Sequence, residues 1–283
     1  MTLGFRPRWD ALWFSPGSPL GPIAARTVLA ANALWIVLSR PDLPDLVSWP
    51  GAFWSVVPHS LRLRYFLLSG APLVEWAAYA ALCVSLVAAL AGVLPRLSCF
   101  AAAALLYHFA PFEEILTTSN GPYLGGLTLP VLGLFVLSFI PAPSRGAAPS
   151  PEHRWPLTLV RVLVAFSYLF AGIAKLRLTG GHWVSAENLE ATALLFMTYE
   201  ARPPWADWLV GHPVRAVLTG ATLLSIELAF ILAVTSKTAA RILVPAAAAA
   251  HVFVLQAFGV VPLSLPLLLL FVDWDSVDAR RRP

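Results

Sequence analysis

The sequence predicts an all-α protein, a polytopic transmembrane helical bundle of about eight spans (seven or eight) with no soluble domain. Three observations lead there. Hydrophobic residues make up 58% of the 283-residue chain and charged residues only 12%, against roughly a quarter charged in soluble domains. Mean hydropathy is +0.74, so the exterior has to be apolar as well as the core. The apolar residues also gather into runs close to the roughly 20 residues that an α-helix needs to cross a bilayer.

Taken in order, the first run covers residues 20–38. Arg6, Arg8, Trp9 and several prolines precede it without a continuous apolar stretch, so it is expected to act as its own insertion signal rather than follow a cleaved one. Residues 49–69 are apolar but interrupted by Pro50, Pro58, His59, Arg62 and Arg64, a pattern that suits a helix lying in the headgroup zone. Spans are then expected at 72–94, 97–116 and 123–140. Residues 141–156, rich in Pro, Ala and Ser, read as a linker. A span at 157–176 leads into a polar connection, 177–213, that carries Trp183, Trp205 and Trp208. The last three spans are expected at 214–234, 239–258 and 260–272. The final one is short and holds Pro262 and Pro266, so it reads as tilted, broken or re-entrant. No repeat or composition shift divides the chain, which reads as a single domain over residues 1–283.

A formal charge of +4 does not point to nucleic acid. The basic residues sit at the ends of apolar runs and form no stripe with interleaved aromatics. They read instead as orientation charges at a membrane surface. With eight spans and an inner N-terminus, ten Lys and Arg fall on the inside (Arg6, Arg8, Arg96, Arg145, Arg154, Lys237, Arg241, Arg280, Arg281 and Arg282). Five fall outside, at Arg40, Arg62, Arg64, Arg177 and Arg202. Both termini are therefore expected in the cytoplasm. Cys83 and Cys99 lie in apolar stretches, which argues against a structural disulfide or a thiolate metal site.

An ionisable group in mid-bilayer costs about 2.5–3.5 kcal/mol on insertion scales, so each one needs a reason. The candidates are Arg26, Glu75, His108, Glu113, Glu114, Lys175, Glu227 and His251. Arg26, Glu113 and Glu114 lie near expected helix ends, where snorkelling suffices. His108, between Tyr107 and Phe109, reads as a satisfied core histidine. Lys175 follows Tyr168 by seven residues, as Tyr168 follows Arg161, so the three share about one helix face. Ala171 and Gly172 are small enough for a second helix to come close. Lys175 is then either a snorkelling anchor at a span end or, turned into the bundle, an amine able to act as a base. Glu227 is about 20 Å from the outer end of its span at 1.5 Å per residue, so it is expected either to be protonated or to pair with a partner such as His251 on the next helix. Five alanines before His251 again suit close packing. No phosphate loop, dinucleotide fingerprint, nucleophile elbow or pair of histidines at i, i+4 occurs, so no metal is predicted.

The run Tyr168-Leu-Phe-Ala-Gly-Ile-Ala-Lys175-Leu176, followed by Trp183, resembles the Y-x-x-A-G-x-x-K-L…W element of vitamin K-dependent gamma-carboxylases and of their bacterial relatives, the HTTM (horizontally transferred transmembrane) domain proteins. Asn120-Gly-Pro-Tyr123-Leu124 is similar to the family's N-H-S-Y-L stretch. Glu227 matches an intramembrane acidic position, and His251 a histidine in the following helix. The four pieces stand in the family's order over most of the chain.

The resemblance implies a bacterial inner-membrane protein and a quinol of the menaquinone or vitamin K type. Lys175 would be the base that deprotonates it, with His251 and Glu227 as further catalytic residues. Asn120, Tyr123, Tyr168, Gly172 and Trp183 would bind substrate or quinone. The activity implied is that of a quinol-dependent carboxylase- or epoxidase-like lyase or oxidoreductase. Two departures narrow it. Gly121 stands where the family has a histidine, so that residue's role does not carry over and only His182 or His108 is available to replace it. The family's large extramembrane substrate-holding domain is not expected either. Besides membrane lipids, the alternative partner is therefore a peptide or membrane protein that the chain, without catalysis of its own, helps to mature or export. A small-molecule transporter ranks last, since no inverted repeat is visible.

Overall fold

The computed structural model describes residues 5–49, 70–117, 126–141, 146–199, 204–260 and 263–280. Among them there is no β-strand, only an isolated bridge between Gly17 and Ser150. The chain is all-α. Among the described residues, four helical segments are long and apolar enough to cross a membrane: Leu20–Leu38, Pro72–Ala91, Pro151–Val184 and Lys237–Phe258. This is a helical membrane protein.

Two compact units are formed, one by Met1–Val160 with Val272–Pro283 and the other by Arg161–Phe271. The first contains α1 (Phe5–Phe14), α2 (Leu20–Leu38), α3 (Leu43–Val47), α4 (Pro72–Ala91), α5 (Pro95–Thr117) and α6 (Thr128–Ser138). Helix α7 (Pro151–Thr179) follows in sequence. The second unit continues with a 3-10 turn at Gly180–Val184, then α8 (Ala186–Tyr199), α9 (Ala206–Leu209), α10 (Pro213–Ala229), α11 (Leu232–Thr235) and α12 (Lys237–Phe258). A second 3-10 helix covers Leu265–Phe271, and α13 (Trp274–Ala279) returns the chain to the first unit.

Local chemistry sets several boundaries. Helix α4 begins with Pro72, whose missing N–H costs nothing in the first turn. It ends at Gly92 in the left-handed conformation (φ 74°), which glycine adopts without a Cβ clash. Ser236 caps α12 by accepting the Ala239 N–H at 3.2 Å, and Asp273 caps α13 through Ser276 N–H at 3.3 Å.

In the first unit α2 packs on α4, α6 and α13, and α5 on α4 and α6. Leu29, Ile36, Leu82, Leu86, Leu106, Phe109 and Leu134 are fully buried there. A Cβ on Gly133 would lie 2.6 Å from the Leu29 side chain, so the α2–α6 approach requires the missing side chain. Outward positions such as Leu73, Val84, Leu97 and Phe100 are apolar too, as a lipid-facing surface demands. In the second unit Leu189, Ala193, Leu209, Ala216, Ala257 and Phe258 form the buried cluster.

Several expected boundaries differ from those found. The segment 177–213 is not merely a polar connection; it folds into the 3-10 turn, α8 and α9, because Leu189, Ala193 and Leu209 give it an apolar face to bury. The region 214–234 breaks into α10 and α11. In the last run, which reads as tilted, broken or re-entrant, the described residues hold a 3-10 helix at Leu265–Phe271. Among the described residues of 123–140, which begin at 126, the helix covers Thr128–Ser138. The linker is shorter than 141–156, since α7 begins at Pro151 and keeps Pro156 in its second turn. The expected interfacial helix at 49–69, Trp49 apart, falls outside the described residues.

Candidate functional site

Helix α7 supplies the frame of the site. Its heptad face carries Arg161, Tyr168 and Lys175, and each of the three finds a polar partner inside the second unit. Arg161 Nε donates to the Leu270 carbonyl at 2.7 Å. The Tyr168 hydroxyl shares a 2.5 Å hydrogen bond with His251 Nε2, and Ser264 lies beside it. Lys175 Nζ donates to Glu227 Oε1.

Gly172 lets α7 and α10 close. A Cβ there would lie 2.9 Å from the Leu228 side chain and 3.2 Å from the Glu227 Cβ. One turn beyond Glu227, the Phe230 ring stacks on Tyr168, with centroids 4.2 Å apart and planes 22° from parallel. Tyr168 thus meets Phe230 while Lys175 meets Glu227, so the two helices run antiparallel. Along α7 the Tyr168 and Lys175 positions are two turns apart, roughly 10 Å at 1.5 Å per residue.

The lysine is turned toward Glu227 and Trp183. The expected span, 157–176, would leave it one residue from a helix end. Instead α7 runs to Thr179 and continues as the 3-10 turn, whose Trp183 folds back and sets its ring 4.3 Å from Lys175 Nζ. The ammonium side of the pair is therefore held between a carboxylate and an indole face, an arrangement a ring quadrupole favours. Side-chain exposures of 13% for Lys175 and 18% for Glu227 put the ion pair where water screens it poorly. Glu227 has a partner, and it is Lys175 rather than His251. Lys175 takes the carboxylate because Gly172 brings α10 against α7, and His251 turns to Tyr168.

Chemically, the cluster holds two proton-exchanging pairs, Lys175–Glu227 and Tyr168–His251, framed by the rings of Trp183 and Phe230. The second oxygen of Glu227, Oε2, is buried and has no hydrogen-bond partner among the described residues. It is an acceptor open to a donor other than Lys175. No group of three or more His, Cys, Asp or Glu side chains suited to a metal ion occurs among the described residues.

Comparison with protein-family models, curated proteins and solved structures finds no match.

Of the residues singled out in the sequence, Tyr168, Gly172, Lys175, Trp183, Glu227 and His251 come together here. Asn120 and Tyr123 lie outside the described residues, as does Gly121. The side chains of Glu113 and Glu114 are likewise outside them. His182 is exposed, its Nδ1 3.4 Å from Ser185 Oγ. Phe230 and Ser264 join the site without a sequence signal of their own, since an apolar ring and a loop serine stand out in no pattern.

A separate polar pair lies in the first unit. His108 Nε2 and Glu75 Oε2 are 2.7 Å apart, their side chains 2% and 0% exposed. The Gly70 N–H donates to the other Glu75 oxygen at 3.0 Å. The reading of His108 as a core histidine agrees with its burial and its Nε2 contact, and Glu75 gains the partner that a buried carboxyl needs.

Proposed function

We propose that this chain resembles the transmembrane core of the HTTM and vitamin K-dependent gamma-carboxylase family and handles a quinol at the Lys175–Glu227 pair. The observation that carries the reading is that pair, capped by Trp183 and set two turns from Tyr168–His251 on one face of α7. The residues fit a hydroxylated ring. Glu227 Oε2 is a buried acceptor without a partner among the described residues, and Trp183, Tyr168 and Phe230 offer aromatic faces. A quinol of the menaquinone or vitamin K type would supply a phenolic proton and two reducing equivalents. Lys175 would take such a proton once its own has passed to Glu227; the protonated amine then faces the quinol anion, and Glu227 is left as the neutral acid. Tyr168 and His251 form a second donor–acceptor pair, fixed by Ser264 and Phe230. In this reading the whole chain, 1–283, is one domain of a bacterial inner-membrane protein of about eight spans, with both termini cytoplasmic.

A second reading, a non-catalytic accessory of a peptide or membrane-protein partner, is favoured by the apolar exposed side chains of α10 and α12, among them Val214, Leu218, Ile242 and Val252. They suit a protein neighbour as well as lipid.

The test is extraction of bound quinones from gently purified protein, read by mass spectrometry, beside Lys175→Ala and Lys175→Arg. Stoichiometric quinone in the parent chain, lost in Lys175→Ala, is the expected result. Lys175→Arg should keep part of the binding and lose turnover, because a guanidinium stays protonated. Absence of quinone from the parent chain, with a specific protein co-purifying from native membranes, would move the assignment to the accessory reading.

A further inference from the structure

Two arginines of the first unit line one small cleft, and no carboxylate stands with them. Arg26 lies in the second turn of α2 and Arg96 in the first turn of α5; Pro22, Cys99, Ile140 and Pro141 complete the walls. These are the beginnings of α2 and α5 and the residues just past α6. The cleft therefore lies toward the N-terminal end of a helix long enough to cross a membrane, the depth at which charged groups of lipid or solution are met.

Arg26 is six residues into α2, roughly 9 Å from its start at 1.5 Å per residue. A helical Cβ tilts toward the N-terminus, which carries the guanidinium back along α2. Gly92 gives it room, since a Cβ there would lie 2.9 Å from Arg26 Nη2. The side chain is half-buried, and its N–H groups find no acceptor among the described residues. Arg96 donates from Nε to the Ile140 carbonyl at 2.8 Å and from Nη2 to the Phe139 carbonyl at 3.5 Å. Those bonds hold its guanidinium against the end of α6 and leave the charge itself unanswered. Neither arginine has an acidic partner among the described residues. A half-buried cation without a counterion is costly, and a second cation at the same cleft adds repulsion.

An anion between them answers both. Guanidinium forks match the oxygens of phosphate, and the first turn of α5, at the same cleft, has the N–H groups and dipole end that favour negative charge. The cavity itself is small, about 20 Å³, against the roughly 10–15 Å³ that one water needs. It admits a single oxygen and leaves the rest of a ligand at its mouth. A tetrahedral phosphate meets that demand: one oxygen enters while the others, and any esterified group, stay outside. We propose that Arg26 and Arg96 form a phosphate-binding site, occupied by the phosphate of a lipid headgroup or of a soluble phosphate.

The experiment uses the full chain in mild detergent. Retention of phosphatidylglycerol, and of diacylglycerol with the same acyl chains, is titrated by native mass spectrometry, and thermal unfolding is followed with and without inorganic phosphate. Phosphatidylglycerol should be retained at least tenfold more tightly than diacylglycerol, and Arg26→Gln and Arg96→Gln should each remove most of that advantage. Arg26→Lys keeps the charge without the fork and should lose part of it, which keeps the test open should Arg26→Gln fail to fold. Arg241→Gln, at an exposed basic position of the second unit, should change nothing. Inorganic phosphate separates the two sources. A rise in unfolding temperature that Arg26→Gln abolishes assigns the site to soluble phosphates, whereas phosphatidylglycerol retention without such a rise assigns it to headgroups. Equal retention of the two lipids with no response to inorganic phosphate overturns the proposal. So does unchanged binding in both Gln variants, or an equal loss in Arg241→Gln.

Discussion

Asn32 sits in α2 at 1% exposure, and neither its amide nitrogen nor its carbonyl oxygen finds a hydrogen-bond partner among the described residues. A buried polar group left unpaired costs about 1–3 kcal/mol. Asn32→Leu has similar volume and no such cost, so it should raise the apparent unfolding temperature in detergent by several degrees; a fall in that temperature would mean the amide has a role that Leu cannot fill. The same reasoning explains why some ionisable residues are tolerated. Glu75 and His108 satisfy each other, although they are 33 residues apart in sequence and no pattern announces the pairing. Lys175 and Glu227 could each be singled out by their cost in an apolar run. Their union could not, because it depends on how Gly172 brings two helices together rather than on any spacing within one of them.

Among the elements, the α2–α6 contact is the most sensitive to a single atom. With a would-be Cβ on Gly133 only 2.6 Å from Leu29, Gly133→Val forces the helices apart. Overpacking of this kind costs about 1–3 kcal/mol, and Leu29→Ala in the same chain should restore part of the loss by making room. Thermal unfolding of the two single variants and the double one would read it; strictly additive losses would show that the contact is not where the strain falls. The long helices were legible because an apolar run of about 20 residues matches the thickness of a bilayer and little else. Short ones were not. α8 looks polar by composition, with Glu187, Asn188 and Glu190 in its first turns, yet it buries Leu189 and Ala193, and that face exists only once α10 and α12 are beside it. The 3-10 helix at Leu265–Phe271 is apolar throughout but only seven residues long, and an apolar run alone does not separate such a turn from part of a span.

For the molecule as a whole, composition and hydropathy were enough to give the class, while the way the chain returns to its first unit lay beyond them. Helix α13 is six residues long and unremarked by any periodicity, yet its Asp275 and Asp278 reach back some 257 and 260 positions to Ser18. Asp278 is 6% exposed, so Asp278→Ala leaves a buried hydroxyl short of an acceptor and should cost about 1–3 kcal/mol. Denaturant unfolding followed by a probe in the first unit would measure it, and no change would relegate the clasp to decoration. The heptad face of α7 has a consequence of another kind. Arg161, Tyr168 and Lys175 hold Leu270, His251 and Glu227 at three levels of a single rod. A slip of one residue would move each by about 1.5 Å and swing it through about 100°, so none of the three bonds can be exchanged for a neighbouring one. The rod is cut like a key with three teeth, and a register shifted by a single residue seats none of them.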